Sequence, residues 1–234
     1  VTPLFGTKFD TYELVTGWFF DSRNRAIFAD RGMRHSVSLA VTAPGSEVDY
    51  YVFNYDYLQL VPIWRQWTVA MSAELAFGDA LGNNTTALPP YRQFFAGGPS
   101  SVRGYTESRL GPKDGFGNPY GGNMKVIGRT ELLFPVPQKW RASTRISAFF
   151  DIGNVFSQGA GVDFVGIDGV TPVDYEFDYN ELKQSAGVAI QWFAPLGIFR
   201  FSYGIPLNEF KGDGIRYEDE VERLMIESLG EQLY

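Results

Sequence analysis

Arg103 stands in the run Phe94-Phe95-Ala96-Gly97-Gly98-Pro99-Ser100-Ser101-Val102-Arg103-Gly104-Tyr105. Glycines and a proline set this one long cation at the tip of a loop. Glycine lets the chain turn tightly, and a guanidinium reaching out of such a turn can fork two hydrogen bonds onto an anion. That chemistry pins or recognises; it does not turn over a substrate. Candidates for catalysis are few. Nucleophilic attack needs a base, and the single histidine is His35. No Gly-x-Ser-x-Gly elbow occurs, and one histidine cannot supply a metal-binding pair. Gly115-Phe116-Gly117-Asn118 is glycine-rich but lacks the strand-to-helix setting of a phosphate loop. Asp163, Asp168, Asp174, Glu176 and Asp178 crowd one stretch whose spacing fits no calcium loop, so they read as a solvated loop. The expectation is a chain with no catalytic, cofactor or metal site, and not an enzyme.

The elements that must position Arg103 alternate with a period of two. Eight segments do so. Tyr12, Leu14, Trp18 and Phe20 mark the first. Val37, Leu39 and Val41 oppose Ser36, Ser38 and Thr42 in the second, and Tyr51, Phe53, Tyr55 and Tyr57 oppose Asn54 and Asp56 in the third. Trp67, Val69, Met71, Leu75 and Phe77 oppose Thr68, Ser72 and Glu74 in the fourth. Beyond the arginine loop, Val126, Leu132 and Phe134 oppose Lys125, Arg129 and Glu131, and Ile146, Ala148, Phe150 and Ile152 oppose Arg145, Ser147 and Asp151. Ala186, Val188, Ile190 and Trp192 oppose Ser185, Gly187 and Gln191, and finally Phe199, Phe201, Tyr203 and Ile205 oppose Arg200, Ser202 and Gly204. Alternation of this length is a strand signal.

A soluble sandwich alternates too, turning its apolar side inward. Three features favour a membrane barrel. The segments run about 9–13 residues, the length a tilted strand needs to cross a bilayer. Aromatic residues (Trp18, Trp67, Phe134, Trp192) lie towards segment ends, where interfacial girdles belong. Every charge falls on the polar side, and a charge facing lipid costs about 2–4 kcal/mol at mid-depth. The short turns 62–66 and 194–197 share one end of the sheet by strand parity. The long loops 79–123, 157–183 and 207–220 share the other, as in barrels with short periplasmic turns and long outer loops. The connection 21–35 is a longish exception at the short-turn end.

Composition agrees. The chain has 234 residues, 16% aromatics, no cysteine, and 26 glycines with 13 prolines for turns. No run of about 18 apolar residues offers a spanning helix, and Val1-Thr2-Pro3-Leu4 has neither the basic start nor the apolar run of a signal peptide. A net charge of −7 argues against a nucleic-acid partner.

The loop resembles the Val-Arg-Gly-aromatic loop of the BamA superfamily, outer-membrane barrels that insert or translocate other proteins. Gly17-Trp18, Asp21-Ser22-Arg23-Asn24-Arg25 with Gly32, Pro44-Gly45-Ser46 before Tyr50-Tyr51, and Tyr57-Leu58-Gln59-Leu60-Val61-Pro62 extend the likeness. So do Gly111-Pro112, Gly121-Gly122-Asn123, Glu131-Leu132-Leu133-Phe134-Pro135, Phe150-Asp151-Ile152-Gly153 and Gln191-Trp192-Phe193-Ala194-Pro195-Leu196-Gly197. Their order matches the second half of the family's barrel over most of residues 12–207 and favours its insertase branch.

The resemblance implies an all-β fold: an antiparallel transmembrane β-barrel, with about eight to nine strands supplied by this chain and a long loop folded into the lumen. Residues 1–234 form the C-terminal portion of that barrel domain, loop 79–123 included. It also implies that Arg103 contacts acidic side chains of the wall at Glu131 and Asp151, with Val102, Gly104 and Tyr105 packed around it. The implied function is assembly of outer-membrane proteins in a Gram-negative outer membrane, client strands adding at a lateral seam. Implied partners are outer-membrane lipids and lipopolysaccharide, unfolded outer-membrane protein clients and accessory assembly lipoproteins. A secretion or translocation pore of the same superfamily, or a self-contained small structural barrel, are the alternatives. The family's first barrel half and its periplasmic domains are not found here, so a fragment is expected. The tail 221–234 reads as an irregular last strand, although Val221, Met225, Leu229 and Leu233 also fall at helical spacing.

Overall fold

The computed structural model describes residues 10–81, 85–114, 116–159, 164–165 and 172–208. Gly115, Asp163, Asp168, Val1-Thr2-Pro3-Leu4, residues 209–220 of the third long loop and the tail 221–234 lie outside the described residues.

Each alternating segment forms a strand. They are β1 (Glu13–Asp21), β2 (Gly32–Thr42), β3 (Tyr50–Trp64), β4 (Trp67–Ala80), β5 (Met124–Leu133), β6 (Thr144–Phe156), β9 (Lys183–Ala194) and β10 (Gly197–Pro206). A two-stranded ribbon, β7 (Phe164–Val165) with β8 (Pro172–Val173), sits in the loop between β6 and β9. The eight long strands form one sheet in chain order, every neighbour antiparallel, with β1 and β10 at its two edges. Among the described residues those edges do not pair, so the sheet is an open wall.

Register settles which side chains share a face. Phe53 lies opposite Phe77 and Tyr55 opposite Leu75, while Asp56 lies opposite Glu74 on the other face. Thr130 pairs with Phe150 and Arg129 with Asp151. The apolar face is the uncovered one: Phe53, Leu75, Phe150 and Phe201 are 38%, 40%, 39% and 61% exposed. On the polar face Thr68, Ser147, Asp151 and Ser185 are buried. A sandwich would bury the first set and wet the second. This wall does the reverse, which is the arrangement of a strand between hydrocarbon and a filled lumen.

The core therefore lies between the inward face and the chain folded onto it. Ala40, Val48, Tyr50 and Val52 pack with Leu88. Ile127 and Val155 pack with Ala96, Val102 and Leu110. Leu60, Ala70 and Leu133 pack with Ala29.

Three details differ from the sequence expectation. Strands β3 and β4 run to 15 and 14 residues. Pro62 and Trp64 stay within β3, and the ladder absorbs the proline through a register shift, which leaves Arg65-Gln66 as the whole turn. Arg65 takes a φ of 46°, the left-handed conformation that tight hairpins require. Finally, the connection between β1 and β2, expected only as a longish link at the short-turn end, packs against the inward face. Arg145 donates to the Ala29 carbonyl and its guanidinium lies 5.1 Å from the Phe28 ring.

Candidate functional site: an arginine clasp inside the wall

The connection from β4 to β5 turns back over the inward face. Its neck is paired at Phe94 and Gly122, and deeper at Ala96 and Leu110. The Ser101 hydroxyl bridges the Gly97 amide and carbonyl at 2.8 Å each, closing the turn just before the tip. Val102 is fully buried in the cluster with Ile127 and Val155. Burial of this one side chain holds the tip against β5 and β6.

Arg103 then meets both predicted carboxylates. Its Nε donates to Asp151 Oδ2 and its Nη2 to Asp151 Oδ1, each at 2.7 Å, a two-pronged fork. The Arg103 backbone amide adds a third bond to Asp151 Oδ2 at 3.1 Å. Nη1 donates to Glu131 Oε1 at 2.6 Å. The guanidinium also lies 3.6 Å from the centre of the Phe149 ring, within cation–π range. Arg103 is 7% exposed and Asp151 wholly buried. Burial alone would disfavour the charged guanidinium, but the bonds to Asp151 and the nearby Glu131 outweigh it and hold the Arg103 pKa above its ordinary value. The cation is locked on.

Gly104 lets the tip reach the last hairpin. Its φ is 89°, and a Cβ there would stand 3.0 Å from the Gly204 carbonyl in β10. Gly204 faces Gly187 across the β9–β10 ladder. A Cβ at Gly187 would stand 2.0 Å from the Tyr203 carbonyl oxygen and 2.8 Å from the Phe149 ring. Glycines on both sides thus allow backbone to approach backbone. Tyr105 continues the contact: its hydroxyl donates to Asn208 Oδ1 at 2.9 Å and lies 3.0 Å from the Gln184 carbonyl oxygen.

A second anchor lies nearer the loop's neck. Arg129 donates to the Ser100 carbonyl, to Glu74, and to the Ser72 hydroxyl at 3.3 Å, while Lys125 Nζ reaches Glu74 at 2.8 Å. On the β1 side Arg92 reaches Glu13 at 2.7 Å. Ion pairs thus join the loop to the wall at β1, through Arg92, and at β5 and β6, through Arg103.

The structure brings together Val102, Arg103, Gly104, Tyr105, Glu131 and Asp151. Sequence reasoning missed Phe149, Gly187, Gly204 and the bridging role of Arg129. The Phe149-Phe150 doublet carried a signal, since a period of two must turn one of two adjacent rings inward. His35 lies on the outward face beside Tyr55, its Nδ1 3.0 Å from the Tyr55 hydroxyl, so it shares no site with the clasp. Asp174, Glu176 and Asp178 join no metal-binding group among the described residues.

Comparison with known proteins places the chain. Residues 4–220 match the model of the Omp85 superfamily domain. The outer membrane protein assembly factor BamA of Neisseria meningitidis serogroup B is 33% identical over 230 residues, 92% of this chain and 28% of that protein. That of Nitratidesulfovibrio vulgaris is 29% identical over 147 residues, 62% of this chain and 16% of that protein. The crystal structure of BamA from Haemophilus ducreyi lacking POTRA domains 1–3 superposes with a TM-score of 0.71 at 28% identity. It covers 86% of this chain and 40% of the other. The chain thus spans under a third of the length of these two relatives and two-fifths of the solved structure. Its eight-stranded sheet is a wall of an outer-membrane β-barrel of the BamA type. The chain belongs to the Omp85 superfamily.

Proposed function

We propose that this chain supplies part of the barrel of a non-enzymatic outer-membrane insertase, its C-terminal portion, and that the clasped loop holds that wall in a working shape. The observation that carries the reading is the Arg103 fork on buried Asp151, closed by Glu131. Such a clasp fixes the loop against β5 and β6, and the adjoining Gly104 and Tyr105 carry the contact on to β10 and β9. Client strands add at a lateral edge of the complete barrel, where unpaired backbone groups template an incoming strand through main-chain hydrogen bonds. Burial of the client in the bilayer drives the reaction, so no nucleotide is required. The partners on this reading are unfolded outer-membrane protein clients, accessory assembly lipoproteins, and the surrounding lipid and lipopolysaccharide.

Arg103→Ala in the full-length parent, reconstituted in liposomes, tests the proposal by the rate at which a client barrel becomes protease-protected. A clear drop in rate with barrel abundance unchanged is expected. Wild-type insertion would remove the functional role of the clasp.

A further inference from the structure

At the short-turn end of the wall, three connections surround a cleft of about 300 Å³. Arg25 and Arg31 enter from the β1–β2 connection and Arg65 from the β3–β4 turn. Arg141 and Arg145 come from the β5–β6 connection and the first residues of β6. Asp30 is the one carboxylate among the lining residues, and Arg25 already holds it, with Arg31 3.9 Å away. Among the described residues Arg65, Arg141 and Arg145 form no ion pair; Arg145 is spent on the Ala29 carbonyl, and Arg65 lies 5.0 Å from the Trp64 ring. Five arginines thus line a cleft that holds one carboxylate, in a chain whose net charge is −7. Like charges held together from separate connections repel, and the arrangement is relieved when an anion enters.

We propose that this cleft binds an acidic stretch of an extended polypeptide. Guanidinium forks match carboxylates two oxygens at a time, and a cleft of this size sits at the lower end of the range for small binding sites, near 300–1,000 Å³. It holds a few side chains. Thr68, Leu133 and Arg145 set the floor of the cleft on the inward face, while Arg65 at its rim lies beside the exposed Trp64 ring. A carboxylate-bearing chain arriving from the aqueous side therefore fits better than a lipid phosphate arriving from the bilayer. Phe28, Phe134 and Val136 add an apolar wall against which the backbone of such a segment rests.

The test uses the full-length protein in phosphatidylcholine nanodiscs, with a fluorescein-labelled peptide of alternating glutamate and glycine followed by anisotropy. Saturable binding is expected, absent for the peptide with glutamine in place of glutamate and weakened as salt rises. The double variant Arg65→Gln/Arg141→Gln, both positions lying outside the strands, should weaken it by about tenfold or more. Heat-modifiable mobility checks that the variant is folded. If it is not, Arg31→Gln, on a different connection, provides the same comparison. Equal binding of the two peptides, or undiminished binding by the variants, overturns the proposal. So does arginine-dependent binding that appears only against phosphatidylglycerol nanodiscs and not with peptide, which would assign the cleft to lipid headgroups. Because binding is read directly, the result stands whether or not the clasp governs insertion.

Discussion

Arg103 and Asp151 are joined three times, twice through the guanidinium and once through the Arg103 amide, so one carboxylate fixes both the side chain and the backbone of the loop tip. Glu131 adds one bond from the neighbouring strand. The two acids are therefore unequal partners, and several outcomes depend on that inequality.

Arg103→Ala leaves Asp151 wholly buried without its cation. Removing one member of a buried pair costs about 3–5 kcal/mol, most of it expressed as release of the loop. Limited proteolysis in detergent should cut the loop readily in the variant and hardly at all in the parent. Arg103→Lys keeps the charge but loses the fork and weakens the contact with Phe149, and should fall between the two.

Asp151→Asn should damage loop placement more than Glu131→Gln, because three bonds depend on the first acid and one on the second. Thermal loss of heat-modifiable mobility gives the ranking. A lower transition for Glu131→Gln than for Asp151→Asn would contradict the geometry.

Gly204→Ala and Gly104→Ala test the approach of loop to hairpin. Gly104 combines a φ of 89° with a Cβ position 3.0 Å from backbone, and such strain costs about 1–3 kcal/mol. Gly187→Ala should be worse, because its Cβ would overlap the Tyr203 carbonyl oxygen at 2.0 Å. Disulfide trapping between cysteines placed at the loop tip and in β10 should slow in all three variants, most in Gly187→Ala.

Asp114 makes one part of the loop sensitive to acid. Burial raises its pKa somewhat, but bonds from the Asn118 side chain and amide and the Phe116 amide outweigh this and hold it below the ordinary 3.8. A carboxylate depressed in the folded state stabilises above its unfolded value and loses that contribution as pH falls through the folded one. The group is only partly covered, so the effect is local. Protection of the Asn118 amide, taken relative to its intrinsic exchange rate, should fall below about pH 3.8, and Asp114→Asn should show the lower protection already at neutral pH.

The face assignment predicts opposite tolerances. Phe150→Arg puts a charge on the exposed apolar face and should reduce folding into liposomes by about 2–4 kcal/mol. Ser36→Lys, on the inward face opposite Asp56, should fold nearly as the parent does.

Most of the wall was legible in the sequence because a period of two is set by backbone geometry alone. Phe53, Leu75 and Phe201 needed no tertiary information to be assigned to one side. The clasp was legible through Arg103 and its motif, since glycines around a lone arginine mark a loop built to reach. What escaped depends on approach between distant segments. Gly187 and Gly204 sat on the polar side of their strands, but that each faces the other and the loop follows only from register. The tucked connection 22–31 escaped for the same reason. Its anchor is a backbone carbonyl, that of Ala29, and carbonyls leave no trace in a sequence pattern.

The inward packing of Ala29 and Phe28 has a hydraulic consequence. The wall carries two stoppers on its inward face, the arginine loop over β5 and β6 and the Phe28-Ala29 connection over β3, β4 and β5. Conductance should rise in two separable steps when each stopper is cut away, and not in one.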